Sequence, residues 1–306
     1  MKRRLKLALD VVKDAGDGWL TDNATRLGAS LSYYTVFSIG PMILIAVAVA
    51  GIFFGQEAAQ KQIYETLGGF VGSNSASAVA EVAKSASQHS KSIIATIIGI
   101  ITLIVGATGV FGEMHSALNL IWKVETKAGK SIWAFFRERF LSFAMVMGVG
   151  FLLLVSLLMT AILSALGSWL TEHLPGGAAL WQVVNFAISL VVTSGIFAMI
   201  FKLVPDVLIP WTPIWPAAVV TGVLFSIGKF VLGFYIGKTN VASSYGAAGS
   251  LIVVVVWVYY SAQILYFGAE LVRARVAQLH LEVKPKSIAQ AMQPKPSPAG
   301  TVVSPT

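Results

Sequence analysis

The sequence predicts an all-α, polytopic membrane protein with six transmembrane helices and both termini cytoplasmic. Of its 306 residues, 56% are hydrophobic and 12% charged, more apolar side chain than a water-soluble fold of this size buries. Six apolar runs have about the 20-residue length that crosses a hydrocarbon layer as a helix. Lys and Arg alternate between the intervening segments. Of the 22, 17 lie in segments 1–30, 113–139, 202–213 and 273 onward, four in the other loops and one, Lys229, within a run. Positive residues gather on the cytoplasmic side, so these four segments are assigned there.

Taken in order, residues 1–20 form an amphipathic interfacial helix, with Leu5, Ala8, Leu9, Val12, Ala15 and Trp19 on one face and Lys6, Asp10, Lys13, Asp14 and Asp17 on the other. Its basic cluster Lys2, Arg3, Arg4 and Lys6 suits anionic lipid headgroups or simply solubilises the helix. No cleavable signal peptide is evident, because polar and acidic residues follow the basic start. Asp22 or Asn23 caps the next helix, which opens a six-helix domain over 21–275.

Span one, 31–54, begins with the polar residues Tyr33, Tyr34 and Ser38, and Pro41 kinks it. The loop 55–92 carries two short amphipathic helices. Span two, 93–112, has Gly99, Gly106, Gly109 and Gly112 for close helix packing. Span three, 140–166, carries Ser156, Thr160 and Ser164 as a mild polar stripe, and span four, 180–201, holds Asn185 near its start. A stiff Pro- and Trp-rich loop leads to span five, 214–236, and a Gly- and Ser-rich loop to span six, 251–272. The tail 276–306, with Pro285, Pro294, Pro296, Pro298 and Pro305, reads as largely disordered.

Two polar stripes are the site candidates. In span five Gly222, Ser226, Lys229, Gly233 and Gly237 share one helical face, which points Lys229 toward protein and leaves Phe225, Phe230, Val231, Leu232 and Phe234 for lipid or looser contacts. A charge inside a membrane costs roughly 2.5–3.5 kcal/mol on insertion scales, so Lys229 marks a cavity, a buried partner or an anionic ligand, unless its long stem snorkels to the outer interface. Lys229 lies about 10 Å from the outer end of its span, at the level of Asn185. In span six Tyr259, Gln263, Tyr266 and Glu270 share a face, with Glu270 near the inner end within reach of Arg26, Arg137 or Arg139 as a structural ion pair.

Three motifs, Ala29-Ser30-Leu31-Ser32-Tyr33-Tyr34-Thr35 with Gly40-Pro41, Ala117-Leu118-Asn119-Leu120-Ile121-Trp122, and Tyr245-Gly246-Ala247-Ala248-Gly249-Ser250-Leu251 leading to Gly268-Ala269-Glu270-Leu271, make residues 15–275 resemble the YihY/virulence factor BrkB family. The resemblance implies a six-helix bacterial inner-membrane protein, once labelled ribonuclease BN. Where that family has Pro-Asn, this chain has Pro205-Asp206.

Four scattered histidines, no cysteine and no phosphate loop leave no metal centre, no catalytic constellation and no nucleotide-driven pump. No enzyme activity, ribonuclease included, and no cofactor or nucleic-acid partner is expected. The residues instead predict a transporter-like or lipid-handling protein with an intramembrane polar cavity for an anionic or lipid-like cargo. A non-transporting envelope scaffold is the alternative. The expected partners are the bilayer, anionic lipids in particular, and further copies of the chain.

Overall fold

A computed structural model describes residues 2–36, 55, 109–127, 177–238 and 247–292. Helix α1 (Lys2–Thr21) turns at Asp22 and Asn23 into α2, helical over 24–36, and α3 is helical over 109–121. Strand β1 (Val124–Thr126) follows, then α4 (Gly177–Leu203), β2 (Val207–Leu208), α5 (Trp211–Lys238), α6 (Ala247–Gln278), β3 (Lys284–Pro285) and β4 (Ala289–Ala291). Among the described residues, three stretches, Trp181–Leu203, Trp211–Leu232 and Ile252–Gln278, are long and apolar enough to cross a membrane.

Each junction has a local cause. The Asn23 carbonyl accepts from Arg26 N and Leu27 N, so Asn23 starts α2. Asn23 (φ 52°), Lys123 (φ 54°) and His280 (φ 51°) take the left-handed conformation that ends α1, α3 and α6. Pro213 sits in the first turn of α5, where its missing N–H has no helical partner to lose.

Helix α5 packs between α4 and α6, and α1 lies along the C-terminal half of α6. Gly268 of α6 meets Thr221 of α5 and Phe201 of α4, where a Cβ would overlap the Thr221 hydroxyl and come 2.6 Å from Phe201 Cζ. Phe225, assigned to lipid or looser contacts, is half-buried and packs edge-on against both Phe197 and Trp257. Phe230, Val231 and Phe234 are exposed.

The largest buried side chains, among them Tyr266, Phe201, Leu118, Ile121, Ile209, Ile214 and Val272, gather at one end of the bundle. The α1–α2 corner, the end of α3, the α4–α5 loop and the end of α6 meet there. These belong to the four segments that charge alone placed on one side. The C-terminal segment ties them together: β4 pairs antiparallel with β1, Val124 opposite Ala291, and β3 with β2, Val207 opposite Pro285.

The expectation of a largely disordered tail is therefore corrected over 276–292. Strands this short do not persist alone. They hold because Val124, Val207 and Ala289 are buried, Leu281 and Val283 pack on the core, and backbone bonds run from Lys286 N to Asp206 O (2.9 Å) and from Met292 N to Lys123 O (2.9 Å). Residues 293–306 lie outside the described residues, as do the loop 55–92 but for Gly55, span three and most of spans one and two.

Candidate functional site

The polar stripe of α6 faces the α1–α2 corner, which comes unusually close. A Cβ at Gly18 would lie 2.5 Å from Glu270 Oε2, and one at Gly28 would overlap the Gln263 amide nitrogen. Glycine at both positions lets the corner sit on the stripe. Gln263 Nε2 donates to Ala24 O (3.3 Å). Tyr266 is fully buried and Glu270 is 2% exposed.

At the foot of the stripe the buried Asp22 carboxylate accepts from Lys123 Nζ and from Arg273 Nη1 (3.3 Å). Arg273 Nη1 is also 3.4 Å from Glu270 Oε2. Two carboxylates thus face two cations, the balance that buried charge requires. The partner of Glu270 is Arg273, one turn along its own helix. Arg26 is exposed and makes no ion pair with Glu270, and Arg137 and Arg139 lie outside the described residues. Lys123 and Asp22, absent from the expected site, complete the cluster. Lys123 reaches Asp22 from the left-handed residue that ends α3, a long-range pairing with no sequence signal.

A second buried knot joins α3 to the α4–α5 loop. Asn119 Nδ2 donates to Asp206 Oδ2 (3.0 Å) while Asp206 N donates to Asn119 Oδ1 (2.8 Å), closing a two-bond ring. His115 Nε2 lies 3.0 Å from the same Asp206 oxygen. Burial opposes the charge on Asp206, but the His115 bond and charge, the Asn119 bond and the Lys286 charge together hold its carboxyl below the usual carboxylate range. The motif residue Asn119 thus meets the Pro205-Asp206 pair, the position at which this chain carries the acid.

At the other end of the stripe, Ala29, Ser32, Tyr33 and Val36 of α2 and Val255, Val256 and Tyr259 of α6 line an open groove of about 560 Å³. Its walls are almost wholly apolar, and Ser32 spends its hydroxyl on Gly28 O (2.8 Å). The rings of Tyr33 and Tyr34 meet edge to face with centroids 5.7 Å apart.

The two stripes diverge in their surroundings. On α5, Gly222 is buried against Ser194 of α4 and Ser226 is half-buried, but Lys229, one turn further on, is exposed. Among the described residues, the contact of the small-residue face with α4 is seen at Gly222 and not at the lysine. Asn185 is exposed on α4, and no described hydrogen bond joins it to Lys229. Lys229 is not part of the groove lining. Ser38 and Pro41 lie outside the described residues. Among the described residues no group of three or more His, Asp or Glu side chains is placed to hold a metal.

The profile of the family described as virulence factor BrkB matches residues 15–292. Among curated proteins, the chain is 25% identical over 257 residues to a UPF0761 membrane protein of Alcanivorax borkumensis, covering 83% of this chain and 58% of that protein. It is 27% identical over 258 residues to a UPF0761 membrane protein of Pseudoalteromonas translucida (82% and 81% covered). A Pseudomonas aeruginosa UPF0761 membrane protein is 28% identical over 265 residues (83% and 60% covered). The chain thus spans little more than half the length of several relatives it matches. No solved structure matches it. With the profile covering all but the ends of the chain, and relatives named as membrane proteins over more than four-fifths of it, the chain belongs to the virulence factor BrkB family of membrane proteins.

Proposed function

We propose that the chain is a lipid-handling protein of the bacterial inner membrane, with both termini in the cytoplasm and the α2–α6 groove as the seat of an acyl chain. The observation that carries this reading is the groove's lining, which pairs valine and alanine walls with two tyrosines and contains no charged side chain. Such a surface favours a lipid tail over a small anion, which needs donors or cations around it. The anionic preference expected of the cargo then belongs to the headgroup, beyond the groove.

Helix α1 fits the same setting. It buries Val11 and Ala15 on the protein and leaves Leu9, Val12 and Leu20 exposed beside them, an apolar strip suited to the interfacial zone of a bilayer. Trp211 and Trp215 stack with centroids 5.9 Å apart, and Lys202 Nζ lies 5.6 Å from the Trp211 centroid. Aromatic and basic residues so grouped are typical of the headgroup level. The scaffold alternative draws on the exposed apolar faces of α4 and α5, which offer area to further copies of the chain.

The test is crosslinking with a phospholipid that carries a photoreactive group on its tail, in vesicles holding the full chain. Labels are expected on peptides containing 24–36 and 252–260, and Ala29→Trp, which fills the groove from an exposed position, should reduce them at least about fivefold. Labelling spread evenly over all the apolar helices, unchanged by Ala29→Trp, defeats the assignment and favours the scaffold.

A further inference from the structure

On the polar stripe of α6 and on α1, which packs against that helix, four buried polar atoms have no hydrogen-bond partner among the described residues: Gln263 Oε1, the Tyr266 hydroxyl, Glu270 Oε1 and the indole Nε1 of Trp19. Three belong to one stripe of α6, and the fourth comes from α1 beside Gly18, the residue on which Glu270 rests. Buried polar groups in native proteins are almost always satisfied. Leaving four unmet would forfeit a large part of the stability of a typical domain.

The spacing limits what can satisfy them. Gln263 and Glu270 are seven residues apart, about 10 Å along the helix axis. A single metal ion, with ligands at about 2.0–2.6 Å, cannot reach both ends. The set is also chemically mixed: two acceptors, one donor and one hydroxyl that does both. An anion is disfavoured by the carboxyl of Glu270. Water, which donates and accepts, matches a mixed file of this length.

We propose that the seam between α6 and the α1–α2 corner holds a short file of water that delivers a proton to Glu270 and takes it away. In the loading step a hydrated proton leaves its water and bonds to Glu270 Oε1, converting carboxylate to carboxylic acid and leaving neutral water behind. Release reverses the step toward the water beside the Tyr266 hydroxyl. Arg273 supplies the compensating movement. Its Nη1 lies 3.3 Å from Asp22 Oδ2 and 3.4 Å from Glu270 Oε2, so neutralising Glu270 releases the guanidinium to Asp22. The charged and titratable groups around Glu270 are Asp22 from the α1–α2 corner, Lys123 from the end of α3, and Arg273 and Tyr266 from α6 itself, with Glu113 of α3 acting electrostatically on Tyr266. This site goes beyond lipid handling and holds whether or not lipid moves.

The experiment is infrared difference spectroscopy of the full chain in lipid nanodiscs, titrated from neutral to acidic pH in ordinary and in oxygen-18 water. The expected result is a protonated-carboxyl band of which one residue's worth is lost in Glu270→Gln and shifted in frequency in Tyr266→Phe. A water band sensitive to oxygen-18 should change with it. The phenylalanine variant keeps the packing and removes only the hydroxyl, so it carries the test alone if the glutamine variant fails to fold. A full band in folded Glu270→Gln, an unmoved frequency in Tyr266→Phe, or no oxygen-18-sensitive change would each overturn the proposal.

Discussion

Replacing Asn119 by alanine breaks the ring that ties α3 to the α4–α5 loop, and its cost follows from two bonds. The bond from Asn119 Nδ2 to the Asp206 carboxylate (3.0 Å) is charge-assisted, worth about 1.5–3 kcal/mol. The bond from Asp206 N to Asn119 Oδ1 (2.8 Å) cannot be replaced by water at a residue only 4% exposed, so an orphaned N–H adds about 1–3 kcal/mol. The low end of the sum is about 2.5 kcal/mol, or roughly 5–10 °C in midpoint at the 2–4 °C per kcal/mol of a chain approaching this size. The assay is thermal unfolding of purified protein followed by intrinsic fluorescence. Asp206→Asn is the control, because its amide oxygen still accepts from Asn119 and its backbone N–H still donates. It forfeits only the charge and the His115 contact and should lose less than half as much. A loss below about 1 kcal/mol in Asn119→Ala, or equal losses in the two variants, refutes the reasoning that the ring and not the charge holds this junction.

Three other perturbations have defined outcomes. Because the Asp206 carboxyl is held below its unfolded value of about 3.9, its contribution is fully present above about pH 4 and is lost as pH falls through the folded value. The stability gap between wild type and Asp206→Asn should therefore close in acid; a gap that widens would contradict the assignment. Gly268→Ala, set against Thr221 and Phe201, should cost about 1–3 kcal/mol by overpacking, visible as a lowered midpoint with an unchanged helical signal. A chain ending at Met292 should unfold like the full chain, whereas one ending at His280 loses both strand pairs and should unfold several degrees lower; equal midpoints would mean the strap holds nothing.

Much of this arrangement was legible from charge and periodicity. The period-3.6 face of Tyr259, Gln263, Tyr266 and Glu270 is the face that meets the α1–α2 corner, because a helix stripe is a local property of sequence. The four basic segments meet at one end because loops joining antiparallel helices alternate ends. What could not be read are contacts across long separations. Asp22 with Lys123, Asp22 with Arg273 and Asn119 with Asp206 are 101, 251 and 87 residues apart. Small-residue spacing likewise identifies a packing face on the helix of Lys229 but not how far along that helix the neighbour continues. The ordered C-terminal segment was not legible because the prolines of the tail, Pro285 among them, read as unstructured, whereas its order comes from loop backbone groups that need partners.

The central claim, that the α2–α6 groove handles lipid, is tested most directly by transbilayer movement of headgroup-labelled phospholipids in proteoliposomes, read with a membrane-impermeant quencher. Wild-type protein should move labelled lipid well above protein-free vesicles, and folded, equally reconstituted Ala29→Trp should be slower by at least about tenfold, the effect of removing roughly 1.4 kcal/mol of binding or barrier lowering. Wild type that moves no lipid above protein-free vesicles, or Ala29→Trp that moves it equally fast, contradicts the account.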